Sequence, residues 1–296
     1  MQHKNQFTMS IIGAGRVGST LAMMFHRKGY SIISVISQKK KSARKLANLV
    51  GCKKFSESLS GIHPATKIIL IAVPEEDIAG IAKEIAKRSH IDFSNLIVFH
   101  TSGSMTSDTL WPLSRKGART FSLHPIQSFS KASTLATQIA RMKNVVYGFE
   151  GNNAALPAAR QLVKSLCGKL VRIPKEEKIL YHMACVFASN YSIALLGAVE
   201  ELTRRIGGGI KLSHFEPLVR TSIENAFQFA PQMALTGPIA RGSTSTVKSH
   251  TKELRKVNKP LSLLYQQNGL QALKMAVMRK SLKPKVARQI RQILES

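Results

Sequence analysis

Residues Thr8 to Ser19 read TMSIIGAGRVGS, a short apolar run (Met9, Ile11, Ile12) that passes into a glycine-rich turn and then into an apolar-periodic run (Val17, Leu21, Met24, Phe25). A strand, a turn and a helix with glycines at Gly13, Gly15 and Gly18 admit few folds, because each glycine answers a separate steric demand. The first allows a tight turn off the strand, the second lets backbone approach a pyrophosphate, and the third lets the helix pack closely on the strand. The anion would sit at the N-terminus of a helix over residues 17–29, where N–H groups and the helix dipole favour negative charge. Gly13, Ala14, Gly15, Arg16, Val17 and Gly18 are therefore the candidate dinucleotide-binding residues of an α/β Rossmann-type domain.

The following segments fit that domain. Ser31 to Ile36 is a β-branched run that reads as the second strand. An acid at its end would accept from a ribose 2'-hydroxyl, but the chain has Ser37, Gln38, Lys39, Lys40, Lys41 and, further on, Arg44. Hydroxyl and cationic donors attract a 2'-phosphate, so the expected cofactor is NADP(H), with Ser37, Gln38, Lys39, Lys40 and Arg44 in contact. The plainer alternative is a solvated start of a helix over residues 42–50. Lys67 to Val73 is a continuous apolar run, as suits a strand covered on both faces. Val73 and Pro74 close it over the cofactor, and Glu75, Glu76 and Asp77 begin a helix. The strand 95–100 leads to Thr101-Ser102-Gly103-Ser104, a loop that either faces the ligand crevice or caps a helix over residues 105–113. A strand over 118–123 leads to His124 and Pro125, where an imidazole held by proline at a strand end can titrate near neutral pH. Strands over 144–149 and 169–173 flank a helix over 154–167, and beyond Pro174 only helical periodicity continues. The expectation is a parallel-sheet nucleotide domain over residues 1–174 and an all-helical domain over 175–296.

Within the second domain a helix over 178–206 sets His182, Ser189, Asn190 and Ser192 among apolar residues. At 100° per residue Ser189 falls about 20° and Asn190 about 80° from His182, so the three can border one cleft. Buried, they need partners, either another helix or a substrate.

Charge is the unusual feature, with 44 Lys and Arg against 16 Asp and Glu, a net +28. The cations are dispersed, apart from clusters at 39–41 and in the last two dozen residues, and no helix-turn-helix, zinc-finger or aromatic RNA-binding pattern accompanies them. A general basic bias explains this better than nucleic-acid binding, and it suits an anionic cofactor and a small anionic substrate. Cys52, Cys167 and Cys185 are too far apart for a metal motif or a disulfide framework, and no metal is expected. The first residues lack a signal-peptide core, and no unbroken run reaches the roughly 18 apolar residues of a membrane span, so a cytoplasmic protein is expected.

Several motifs together resemble one known family. They are Gly13 to Gly18, Val73-Pro74, His100-Thr101-Ser102-Gly103-Ser104, His124-Pro125-Ile126-Gln127-Ser128-Phe129, Phe187 to Tyr191, and Leu235-Thr236-Gly237-Pro238-Ile239-Ala240-Arg241-Gly242. The chain resembles the Rossmann-like family whose C-terminal part was long catalogued as a domain of unknown function, some members of which act as alternative ketopantoate reductases. A more distant resemblance reaches the β-hydroxyacid and 6-phosphogluconate dehydrogenases, pyrroline-carboxylate reductases and prephenate dehydrogenases. One departure is Ser243, where the family usually carries Asp after Arg-Gly.

The resemblance implies NADPH-dependent reduction of a small 2-oxo acid, 2-dehydropantoate first, in pantothenate synthesis. It implies a site between the domains, dimerisation through the helical domain, and a role for Asn190 as donor to the carbonyl oxygen. His124 or His182 would supply the proton, with Lys178 the next choice. Ser102, Gly103 and Ser104 would line the substrate, the two hydroxyls and Arg241 binding its carboxylate; the alternative for Arg241 is a surface ion pair or helix cap. The rival readings are an imine substrate of the pyrroline-carboxylate type, an NADPH-sensing regulator, and a nucleic-acid-associated protein.

Overall fold

The computed structural model describes residues 7–296. Two compact units divide the chain, the first ending at Asn190 and the second running from Tyr191 to Ser296. The first holds an eight-stranded sheet in the order β3-β2-β1-β4-β5-β6-β7-β8. Its strands are β1 (Thr8–Ile12), β2 (Ser31–Ile36), β3 (Phe55–Ser56), β4 (Ile68–Ile71), β5 (Ile97–His100), β6 (Arg119–Pro125), β7 (Val146–Gly151) and β8 (Lys169–Arg172). Its helices are α1 (Arg16–Arg27), α2 (Lys40–Leu49), α3 (Glu75–Ala86), α4 (Trp111–Ser114), α5 (Leu135–Ala140), α6 (Leu156–Ser165) and α7 (Lys178–Val186).

The continuous apolar runs are explained by burial on both faces. Along β4, Ile68 and Leu70 join the core under α1, α2 and α6, while Ile69 and Ile71 join the core under α3. Successive strand residues point to opposite faces, so a covered strand needs an apolar residue at every position.

The Rossmann-type architecture is as expected, and four details differ from the expectation. The sheet is mixed, because β7 runs antiparallel to β6. Its residues are buried on both faces, and such a run carries no record of strand direction. The first compact unit extends past Pro174 to Asn190, although β8, the last strand, ends at Arg172 just before that proline. The helical segment over 178–206 is not uniform either: Phe187–Tyr191 forms a π-turn between α7 and α8 (Ser192–Ile206). A wider turn breaks the 100° step, so the angles that grouped Ser189 and Asn190 with His182 do not hold across it. The expected helix over 105–113 shortens to a 3₁₀ turn, Ser107–Leu110, running into α4.

The same helical segment, Lys175–Ile206, is long and apolar enough to cross a membrane by length and composition alone, with a mean hydropathy of 1.5 in its best window. Its charged residues lie towards its two ends, and the shorter apolar runs between them are interrupted by uncharged or weakly polar residues, which leaves the average high.

The second unit is helical, with no strand among the described residues: α8, then α9 (Glu216–Phe229), α10 (Pro231–Ala234), α11 (Thr244–Val257), α12 (Lys259–Met278) and α13 (Pro284–Glu295). Its buried core is small, centred on Ile239, Val247, Leu273, Ile290 and Leu294. Helix α9 buries no residue, and Phe227 on it is 89% exposed.

Candidate active site

Polar groups gather at two neighbouring stretches along the carboxyl ends of the central strands in the first unit. At the first, strand order reverses, with β2 and β3 on one side of β1 and β4 on the other, which opens the crevice where such sheets take ligands. Gly13 has φ +99°, and a Cβ there would collide with the Ala72 carbonyl. A Cβ on Gly18 would collide with the Gly13 carbonyl, whereas one on Gly15 would meet nothing within 4 Å. Two glycines thus close the backbone, and the third presents bare backbone to a cleft of about 510 Å³. No side chain caps α1 and no acid lies in its first turn, so the positive end of its dipole is left for an anion. Open backbone and an uncapped helix N-terminus fit a pyrophosphate.

Ala14, Ser37, Gln38, Lys39, Val73 and Pro74 line this cleft, as do the acids Glu57 and Asp77. Four of the expected contacts lie elsewhere. Lys40 begins α2 and Arg44 follows one turn on; both are exposed and neither lines the cleft. The Arg16 guanidinium donates to the carbonyls of Ser133 (2.6 Å) and Lys131 (2.5 Å) and so secures that loop. Val17 packs against the core beneath the motif.

At the second stretch the ends of β5 and β6 meet α7. Lys178, the first residue of α7, is 1% exposed. Its Nζ donates to Ser122 Oγ (2.7 Å) and to the Ser102 carbonyl (3.4 Å). Burial pulls its pKa down to about 8, against the opposing pull of Glu150 and Glu75. His124 Nδ1 lies 2.6 Å from the Tyr181 hydroxyl, and its ring stands edge-on to His182 with centroids 6.3 Å apart. Burial, reinforced by Lys178, pulls His124 down to about 4, so it is uncharged at neutral pH and is not an imidazolium acid. Gly103 sits in a notch between the two imidazoles, where a Cβ would come within 2.5 Å of His182 Cδ2 and 3.2 Å of the His124 ring.

The serine loop is pinned rather than free. Ser102 Oγ and Ser104 Oγ both donate to the Glu75 carboxylate, and Ser102 Oγ accepts from the N–H groups of Ser104 (3.2 Å) and Met105 (2.9 Å). Burial pushes Glu75 up, but the serine hydrogen bonds outweigh it and hold the carboxyl below its ordinary range. Both hydroxyls are thereby committed to an ionised acid, which corrects the expectation that they bind a substrate carboxylate. His100 is a structural pin: its Nδ1 accepts from the Ser102 N–H (3.2 Å), which leaves Nε2 to donate to the Thr106 carbonyl (3.2 Å).

Sequence reasoning brought His124, His182 and the Ser102–Ser104 loop to one place, and the structure joins them. It underrated Lys178 and missed Tyr181 and the role of Glu75. The signal for the first two was the i, i+3, i+4 spacing of Lys178, Tyr181 and His182, which sets all three on one helix face. Nothing local to Glu75 announces partners 27 and 29 residues away. Asn190 lies exposed on the π-turn, and no described contact joins it to this cluster. Arg241 belongs to the second unit, exposed at the end of a turn. Ser243 precedes α11, its hydroxyl 2.8 Å from Thr246 Oγ1. Among the described residues no group of His, Cys, Asp and Glu is arranged to hold a metal.

A switch-point crevice with a glycine-opened turn, next to a buried lysine and imidazole cluster, defines a dinucleotide-fold protein of the kind found among NAD(P)-dependent oxidoreductases. Residues 2–125 match the model of a Rossmann-like domain, and residues 145–272 match the domain of unknown function DUF2520. The chain belongs to the Rossmann-like family that carries this C-terminal domain. Among solved structures it is similar to BF3122 of Bacteroides fragilis, assigned as an NADP oxidoreductase, with TM-score 0.75, 20% identity, and coverage of 91% of this chain and 99% of that one. TM1727 of Thermotoga maritima gives 0.70, 23%, 92% and 99% in the same order. An imine reductase of Myxococcus stipitatus in complex with NADP+ gives 0.61, 16%, 93% and 100%. At these identities the likeness defines the fold. No curated protein matches the sequence.

Proposed function

We propose that the chain is an NADP(H)-dependent reductase of a small 2-oxo acid, with 2-dehydropantoate as the first candidate and pantoate as product. The observation that carries this reading is the adjacency, at the carboxyl ends of the central strands, of an open-backbone dinucleotide cleft and a cluster of buried Lys178 with half-buried His124, Tyr181 and His182. NADP(H) is supported by Ser37, Gln38 and Lys39 in the cleft wall, and the Myxococcus imine reductase takes NADP+ in a similar fold. Bound there, the reduced nicotinamide supplies a hydride.

The residues supply the rest. As the carbonyl oxygen gains negative charge, the Lys178 ammonium stabilises it through the local field without reaching it, in surroundings where a charge acts strongly. His182, at the notch wall, is the proton donor, since His124 is neutral and tied to Tyr181. Asn190 and Arg241 keep the roles of oxygen donor and carboxylate anchor that the family resemblance suggests, and Asn190→Ala tests the first by loss of turnover with NADPH affinity retained. We further read the protein as a cytoplasmic homodimer, in which a second copy covers the apolar, unburied surfaces of α9 and of the Lys175–Ile206 helix. Sedimentation equilibrium checks this, and a monomer would exclude it.

A second reading, reduction of an imine, is favoured by Glu75, because an ionised acid beside the notch suits a protonated C=N better than a second carboxylate. The test is NADPH consumption with 2-dehydropantoate, pyruvate and pyrroline-5-carboxylate, with NADH as control. Selective turnover of 2-dehydropantoate supports the first reading, turnover of the imine alone the second, and NADPH binding without turnover a sensor.

A further inference from the structure

The dinucleotide cleft and the notch are joined by one side chain. Val73 and Pro74 line the cleft, and the next residue, Glu75, opens α3. Pro74, with φ −52°, leaves little slack between the cleft wall and that carboxylate. From there Glu75 accepts both serine hydroxyls of the loop after β5, Ser104 at 2.5 Å. An acid in a first helical turn is favourable with no such partners, so helix capping does not explain why two hydroxyls from a distant loop converge on it. No cation pairs with it among the described ion pairs, which leaves the serines as its hydrogen-bond partners. Glu76 and Asp77 of the same turn take neither serine.

The loop is held from its other side as well. The Ser102 carbonyl accepts from Lys178 Nζ (3.4 Å) and from Ser122 Oγ (3.1 Å). Clamped between a carboxylate and an ammonium, the turn presses Gly103 between His124 and His182, where no Cβ fits. Release of the carboxylate side alone frees two hydroxyls and loosens the turn that Ser102 Oγ holds through the Ser104 and Met105 amides.

We propose that Glu75 is a positioning residue that couples the two halves of the site: it transmits the order of the Val73-Pro74 cleft wall to the Ser102–Ser104 loop, so that occupation of the cleft stiffens the surface against which the substrate binds. The coupling follows because a ligand that rigidifies one end of a clamp lowers the ordering cost at the other. The effect on substrate KM rests on the reductase reading above, whereas the coupling between cleft and loop rests on NADPH binding alone.

The experiment is amide hydrogen exchange over residues 101–106 in the full chain, with and without NADPH, for the wild type, Glu75→Ala, Glu75→Gln and Glu75→Asp. In the wild type NADPH should slow exchange at Ser104 and Met105 by about tenfold. In Glu75→Ala these amides should exchange faster by a similar factor, and NADPH should no longer slow them although it still binds. Glu75→Asp, which keeps the charge, should recover part of the effect, and Glu75→Gln less. Given turnover, Glu75→Ala should raise KM for the oxo or imino substrate about tenfold and leave KM for NADPH within about threefold. Wild-type exchange in Glu75→Ala overturns the clamp. Faster exchange spread evenly over the sheet overturns it too, since that marks a merely structural residue. A loop unaffected by bound NADPH, or an absence of NADPH binding, overturns the coupling. Silence across the substrate panel with the exchange pattern intact removes the reductase reading and leaves the coupling standing.

Discussion

At the ends of β1 and β4 the chain withdraws its side chains, and at the ends of β5 and β6 it crowds them together. Gly15 meets nothing within 4 Å, while Gly103 has two imidazoles against it. Both regions are built to meet a ligand, and the contrast reflects what each must do. A phosphate is recognised by N–H groups that every residue owns, so the cleft needs only backbone and room. Proton and charge chemistry needs polar groups out of water, and buried polar groups are tolerable only when they satisfy one another. Hence Lys178, Ser122, Ser102, Ser104 and Glu75 form a connected set. Substitutions should therefore behave differently in the two regions: in the cleft, binding and stability separate cleanly, and in the notch they do not.

The largest expected effect breaks apart the glycines of the cleft. Gly13→Ala sets a Cβ against the Ala72 carbonyl at a positive φ and should leave little folded protein. Gly15→Val enters open space at an ordinary φ of −76°, so the melting temperature should hardly move while NADPH affinity falls about a hundredfold. A Gly15→Val protein that binds NADPH normally would remove the pyrophosphate from this turn.

Next comes Lys178→Met, which should cut turnover about 10²-fold or more and also change the dependence of stability on pH. The folded pKa of Lys178 lies at about 8, below its ordinary 10.5. Between those values the native state binds fewer protons than the unfolded one, so wild-type stability should rise with pH across that window. Chemical denaturation of the Met variant at matched pH values should lack this rise, and an equal slope in both proteins would contradict the buried-ammonium assignment.

The smallest effect lies at the end of β2. Lys39→Gln should weaken NADPH about tenfold with NADH little changed, whereas Lys40→Gln and Arg44→Gln, outside the cleft wall, should each cost no more than about threefold. Equal losses at the three positions would return the preference to the general field of this basic chain.

Much of the first unit was legible because its signals are local. Gly13, Gly15 and Gly18 are spaced for a turn, and the run from Lys67 to Val73 announces a strand covered on both faces. The direction of β7 was not legible, since a strand buried on both sides looks the same either way. In the candidate site, strand ends carrying His124 and the Ser102 loop were readable from sequence, but the partners of Glu75 come from β-strand order, which brings α3 beside a loop 27 residues further on. The π-turn at Phe187–Tyr191 defeated the angular argument for Asn190, because helical periodicity presumes the step that this turn breaks.

Hydride transfer from NADPH to the substrate carbon can be followed by isotopic labelling. NADPH deuterated at both C4 positions is incubated with the protein and 2-dehydropantoate, and the product is weighed by mass spectrometry. The expected product is pantoate carrying one deuterium at the reduced carbon for each NADPH consumed. Tightly bound NADPH with no label in any product, across the oxo acids and the imine alike, would contradict hydride transfer.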